Sequence, residues 1–292
     1  MSELQIQAGA ASDAVGAATP KALRSGRRFS VGEILSALFL LFVIAAAIVP
    51  NMLAPTDPLA IDPVNAFAPP SFRELFGTDE SGRSIYARVV HGAGSSLLIG
   101  VAATVIGLAL GSVLGILAGI GGRIADFTVN RLLEVLFSLP ALLLALLLIV
   151  IIGPGVIATT LAVGVSTAPG YARIIRGQLV SVRSSAYVEA STVLGVRPWK
   201  KLRRHILPNA LAPLFTLATL GIGQAIIWAS ALSYLGLGAV PPSPEWGAML
   251  SAGRIYLATA WWMSVAPGLF IVLTAVCATV LGRGSQRRTR ER

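Results

Sequence analysis

Charge is scarce in this chain. Only 12% of its 292 residues are Asp, Glu, Lys or Arg, while 55% are hydrophobic. A soluble domain carries about 25% charged residues, and this length suits one or two ordinary domains. A larger core therefore cannot explain the deficit. The apolar residues must face something other than protein, and lipid fits. Cysteine is limited to Cys277, inside an apolar run, which excludes an intrachain disulfide and a cysteine-based metal site. The three lysines, Lys21, Lys200 and Lys201, never follow a glycine, so no P-loop can cradle a nucleotide. The two histidines, His91 and His205, fall on opposite sides of the membrane in the topology derived below, which makes a His-containing triad or zinc site a strained proposal. Neither a catalytic set nor a cofactor site is expected.

Long apolar runs are plentiful. The first, Ile34–Leu53, reaches about 20 residues, enough to cross the hydrocarbon core. A signal-peptide core is shorter, so an uncleaved anchor helix is expected in spite of the preceding Arg27 and Arg28. Further spans are expected at Ser96–Ile120, Leu132–Ile152, Val156–Ala172, Ala212–Gly236 and Ser264–Gly282. Each must be helical, because backbone in lipid has to satisfy its own hydrogen bonds. The expected fold is all-α with six transmembrane helices. Residues 1–29 read as a disordered tail, 30–284 as the membrane domain and 285–292 as a basic tail.

Basic residues orient the bundle. With both termini cytoplasmic, inner segments hold 19 of the 23 Lys and Arg residues. Only Arg73, Arg83, Arg88 and Arg254 fall outside. Positive charge favours the inner side, so the net charge of +10 reflects topology rather than nucleic-acid binding. Two long outer segments follow, 54–95 and 237–263. Both contain prolines that stiffen them, and each reads either as a partner surface or as a connector. In the first, Asp79 or Ser81 is expected to cap a short helix whose Ile85, Tyr86, Val89 and Val90 lie in the outer interface.

Gly107, Gly111, Gly115 and Gly119 recur every four residues in the second span. They form one helix face open to close approach by a neighbouring helix. Gln224, Trp228, Ser230, Ser233 and Tyr234 give the fifth span a mildly polar set, which suits either a path lining or helix packing. Arg131 and Glu134 are spaced for a surface ion pair. No span carries an evident buried carboxylate or histidine, which disfavours proton coupling. Sodium coupling through backbone carbonyls is weakened less.

The inner segment 173–211 is the most informative. Ser184 and Ser185 are candidate caps for an amphipathic stretch from Tyr187 to Leu194. Gly195 interrupts it, Pro198 suits the first turn of a second helix, and Trp199 to Leu207 is basic, ending at Pro208. This reads as a helix–bend–helix element at the inner membrane surface. Ala190 and Ser191 leave room for a close neighbour, and the basic stretch suits anionic headgroups. A docking hairpin and a bare surface hairpin both remain open on these grounds.

Glu189-Ala190-Ser191, then Gly195, then Leu207-Pro208 resemble the "EAA" motif of permeases of ATP-binding-cassette importers. Ser191 stands where the family has a second alanine, and His205 where it usually has isoleucine. Phe76-Gly77-Thr78-Asp79 with Gly82, Arg83 and Arg88, the string Leu232 to Gly238, Pro241-Pro242, Trp246-Gly247, Trp261-Trp262 and Pro267-Gly268 are similar to the dipeptide/oligopeptide/nickel branch, in particular to the second of its two paired permeases. Ser84 and Ala87 depart from that branch.

The resemblance implies a type I importer permease in the bacterial inner membrane, not an enzyme. It implies a second permease, two ATPase subunits that hold ATP and Mg, an extracytoplasmic solute-binding protein, and transport of peptides or similar small solutes. Tyr187, Glu189, Ala190, Ser191, Gly195, Leu207 and Pro208 would form the ATPase-coupling loop. Asp79, Gly82, Arg83 and Arg88 would organise the outer segment. An ion-coupled secondary transporter and a membrane scaffold are the competing readings. The substrate is not written in the chain.

Overall fold

The computed structural model describes residues 30–290, and the side chains as far as 286. The expected tail 1–29 and the last two residues lie outside the described residues. The chain divides into Met1–Val31 and Gly32–Arg292, and the second unit is described here. Its regular structure is helical: α1 Val31–Ile48, α2 Pro50–Leu53, α3 Ile85–Ile120, α4 Gly122–Phe137, α5 Ala141–Ile152, α6 Val156–Arg183, α7 Ala186–Val193, α8 Pro198–Lys201, α9 Leu207–Leu211, α10 Leu214–Tyr234, α11 Trp246–Gly253 and α12 Trp262–Arg290.

Among the described residues, four stretches are long and apolar enough to cross a membrane: Val31–Ile48, Ile85–Ile120, the continuous run Pro198–Tyr234, and Trp262–Gln286. The pair α4 and α5 passes as a fifth, broken by an 88° bend. Leu132–Ile152 is therefore not one straight span. Pro140 sits at the break with extended backbone, φ −52° and ψ 135°. Proline has no N–H for the preceding turn and pushes the residue before it out of the helical region. α6 runs for 28 residues, but the polar half around Arg173 and Arg176 lowers its hydropathy.

The glycine stripe lies against α6. A Cβ built on Gly107 would stand 2.9 Å from the Gly164 carbonyl, on Gly111 2.8 Å from that of Ala168, on Gly115 2.7 Å from that of Ala172, and on Gly119 2.8 Å from Leu179. Both series rise together, so α3 and α6 run parallel in near backbone contact. α10 returns antiparallel: Gly100 faces Ile226, and Gly221 faces Thr104.

The outer segments are more ordered than an interfacial helix on a connector. Ile85, Val89 and Val90 begin the 36-residue α3 and are buried. They form no separate interfacial helix, because Trp246, Met249, Trp262 and Met263 cover them. Neither Asp79 nor Ser81 caps α3. Its N-cap position is Ser84, which makes no side-chain capping bond. Asp79 instead closes the turn before it, accepting from the Ser81 and Arg83 amides at 2.8 and 2.9 Å.

Candidate functional site

Two regions stand out, one at each end of the bundle. The outer one is a cap. Asp79 is 1% exposed and pairs with the buried Arg88, and Arg83 lies 3.7 Å from the same carboxylate. Arg88 also donates to the Pro242 carbonyl at 3.3 Å, which ties the first outer segment to the second. Gly82 allows the turn: its φ is +74°, and a Cβ there would fall 1.8 Å from the Asp62 carbonyl oxygen. Thr78 accepts from the Ala68 amide, and its carbonyl receives the Trp262 indole N–H at 3.0 Å. Sequence reasoning brought Asp79, Gly82, Arg83 and Arg88 together but missed Glu245. That carboxylate is 1% exposed and caps α11 through the Gly247 and Ala248 amides, each at 2.8 Å. The local signal was weak, since Ser, Thr, Asp and Asn are the preferred N-caps and glutamate is not among them.

The inner region is a hairpin. α6 ends at Ser184, and α7 starts after Ser185, whose backbone has the extended N-cap conformation. Neither serine caps α7. Ser185 Oγ donates back to the Val182 carbonyl at 2.5 Å, and Ser184 Oγ does the same toward Val180 and Ser181. α7 closes with Gly195 at φ +71°. The Gly195 amide donates to Thr192, and that of Val196 to Ser191. This paired pattern requires a left-handed residue, which glycine adopts at no steric cost. Pro198 opens α8, a π turn covers Leu202–Ile206, and α9 carries Pro208 in its first turn. The second arm thus runs past Pro208 to Leu211 and on into α10.

Three hydrogen bonds clip the arms together. Tyr187 Oη donates to the His205 carbonyl at 3.2 Å, Asn209 Nδ2 donates to Tyr187 Oη at 3.1 Å, and Lys201 Nζ donates to Thr192 Oγ1 at 2.8 Å. Val188, Ile206 and Ala210 are buried with Ile175 and Leu179 of α6, and Ile116 and Ile120 of α3 pack on them. Arg183 Nη1 donates to the Gly119 carbonyl at 2.6 Å. The hairpin is therefore fastened to the inner ends of α3 and α6 and is continuous with α10.

Its far side is open. Glu189, Ala190, Gly195 and Pro208 are exposed, and Leu207 is half-buried. Ser191 is buried, with its hydroxyl on the Val188 carbonyl. Val193 and Leu194, at the bend, are 88% and 81% exposed. Beside the hairpin, Arg176 of α6 holds Asp126 of α4 through two bonds of 2.6 and 2.8 Å. Arg131 and Glu134 form the exposed surface pair at 3.0 Å.

The polar set on α10 divides between buried and exposed positions. Ser230 and Ser233 are buried, and a Cβ on Gly247 of α11 would meet them at 2.9 and 2.6 Å. They pack helix against helix. Trp228 is partly buried against α3, α5 and α6 residues. Gln224 and Tyr234 are exposed.

Comparison with known proteins follows the same geometry. Residues 111–291, which include the hairpin and the last spans, match the family described as "Binding-protein-dependent transport system inner membrane component". The chain is 40% identical over 253 residues to the di/tripeptide transport system permease protein DppC of Pseudomonas aeruginosa, covering 85% of this chain and 84% of that one. It is 40% identical over 249 residues to the probable D,D-dipeptide transport system permease protein DdpC of Escherichia coli, with the same coverage. It is 36% identical over 250 residues to the glutathione transport system permease protein GsiD of Pectobacterium atrosepticum, covering 85% and 82%. Among solved structures, a chain of the inward-facing MetNI methionine ABC transporter superposes with a TM-score of 0.55 at 22% identity, over 69% of this chain and 95% of that one. That likeness shows a shared fold. The chain thus belongs to the binding-protein-dependent transport system inner membrane components, and it is an inner-membrane permease subunit of an ATP-binding-cassette importer, a transport subunit and not an enzyme.

Proposed function

We propose that this permease passes short peptides, or polar solutes of similar size, inward along a path shared with a second, homologous permease. Two ATPase subunits, holding ATP and Mg, dock on residues 173–211 and supply the energy. An extracytoplasmic binding protein delivers solute to the outer cap. The observation that carries this reading is the hairpin: it exposes Glu189, Ala190, Val193 and Leu194 outward while it is clamped to α3 and α6 and continuous with α10. A push on its tip is passed to α3 and α6 through those contacts. The peptide class rests on the names of the relatives, which are di/tripeptide, D,D-dipeptide and glutathione permeases.

The same reading has six spans and both termini cytoplasmic. α6 is the candidate for the sixth: it lies in parallel contact with α3 from Gly107 to Gly119. The buried Asp79–Arg88 pair and the capped α11 make the outer segments a stiff platform. The test is recovery of the tagged chain in mild detergent with its partners identified by mass spectrometry. A second permease and two P-loop ATPases are expected. Recovery of the chain alone, where a known importer stays whole, would return an ion-coupled transporter to contention.

A further inference from the structure

The second arm of the hairpin carries a basic face beside the residues of the coupling motif. Lys201 points its ammonium at Thr192 across the hairpin, and Leu202 and Ile206 line the cleft of about 460 Å³ shared with Ile120, Arg183 and Glu189. Lys200, Arg203 and Arg204 surround a second cleft of about 380 Å³, and Trp199 lines both. Spacings of three and four residues bring these four side chains onto one face over two turns. Among the described residues, Lys200, Arg203 and Arg204 take part in no ion pair. The acid of this hairpin, Glu189, lines the other cleft. Trp199 is 69% exposed.

Depth is fixed by the neighbouring helices. Ile120, the last residue of the apolar α3, shares a cleft with Leu202 and Ile206. Arg203 and Arg204, between Leu202 and Ile206 in the chain, therefore sit level with the end of the apolar α3. In steps of four and then three, the face of Lys200 and Arg204 continues through Pro208 and Ala212 to Phe215, which is 68% exposed. An apolar surface above, an indole and three unpaired cations below is the profile of a helix entering a bilayer.

We infer that Trp199, Lys200, Arg203 and Arg204 bind anionic phospholipid headgroups of the inner leaflet, and that this contact holds the hairpin at the membrane surface. Each cation near an anionic surface contributes about a fivefold preference. The inference depends on membrane insertion and not on the peptide substrate or the ATPase contact, so its failure leaves those readings intact.

The test uses the whole importer, purified from the same cells with and without Lys200→Gln, Arg203→Gln and Arg204→Gln together. Co-purified lipid is quantified, and ATPase activity is measured in phosphatidylcholine vesicles with increasing phosphatidylglycerol. The unmodified complex is expected to be enriched in phosphatidylglycerol over the bulk membrane and to respond to it. The triple variant is expected to lose the enrichment at least about fivefold and to respond weakly. Lys200→Arg with Arg203→Lys and Arg204→Lys should restore both. Should the triple variant fail to assemble, single neutralisations should each lower the enrichment in part. Unchanged enrichment in all these variants would overturn the proposal. So would loss of the ATPase subunits from the neutralised complex in lipid-free detergent, which would make the face a protein contact.

Discussion

Asp79 and Arg88 stand nine residues apart, and both are buried at the outer end of the bundle. A buried pair gains little over an apolar pair of the same shape, but removing one partner strands the other charge at a cost of about 3–5 kcal/mol. Asp79→Asn should therefore lower the thermal stability of the detergent-solubilised protein sharply. Arg83→Gln should lower it far less, because Arg83 sits 3.7 Å from a carboxylate already engaged. Glu245→Ala should cost about 1–2 kcal/mol through the lost cap of α11, read in the same melting assay. Asp79, Gly82, Arg83 and Arg88 were legible as a group from their motif. Their link to Pro242 was not, because nothing local in a sequence reports a contact across 154 positions. Ser230 and Ser233 show the complementary limit: a hydroxyl on a membrane helix looks the same in sequence whether it faces a path or the α11 backbone.

At the scale of elements, the hairpin and the glycine stripe carry separate predictions. No atom lies within 4 Å of a Cβ built on Gly195, so its requirement is conformational rather than spatial. Gly195→Ala should cost about 1–2 kcal/mol from the left-handed backbone alone and leave partial uptake. Gly195→Pro cannot adopt φ +71°, and it should abolish uptake while the protein still inserts. Wild-type uptake by the proline variant would contradict the role given to the bend. Gly115→Leu places a side chain 2.7 Å from the Ala172 carbonyl and should cost about 1–3 kcal/mol by overpacking, seen as a lower melting temperature. The four-residue glycine period and the break at Gly195 are written plainly in the chain. The 88° bend between α4 and α5 is less so: Pro140 signals a break, but hydropathy joins the two sides into one apolar window. The helix expected at Ile85–Val90 had the right residues and the wrong company. Its apolar face meets Trp246 and Trp262, and only the tertiary fold brings those side chains there.

For the whole molecule, composition and the charge split carry most of what can be read in advance. Scarce charge, long apolar runs and basic inner loops give a membrane bundle and an orientation. The resemblance at Glu189-Ala190-Ser191 and Gly195 gives the transport class. The pairing of α3 with α6 lies beyond them: Gly164, Ala168 and Ala172 repeat every four positions on α6, but a stripe of small residues does not say which helix it meets. The central claim is that the inner hairpin is where an ATPase takes hold of this bundle. Cys277, the single cysteine, is buried, so Ala190→Cys creates one exposed thiol at the hairpin tip. The decisive measurement is thiol cross-linking of Ala190→Cys in the assembled importer, with Phe72→Cys, at a fully exposed position on the outer segment, as the control. The account predicts an adduct between Ala190→Cys and an ATPase subunit whose yield changes with ATP, and none from Phe72→Cys. An Ala190→Cys thiol that forms no such adduct, or that a membrane-impermeant reagent labels from outside intact cells, would contradict it.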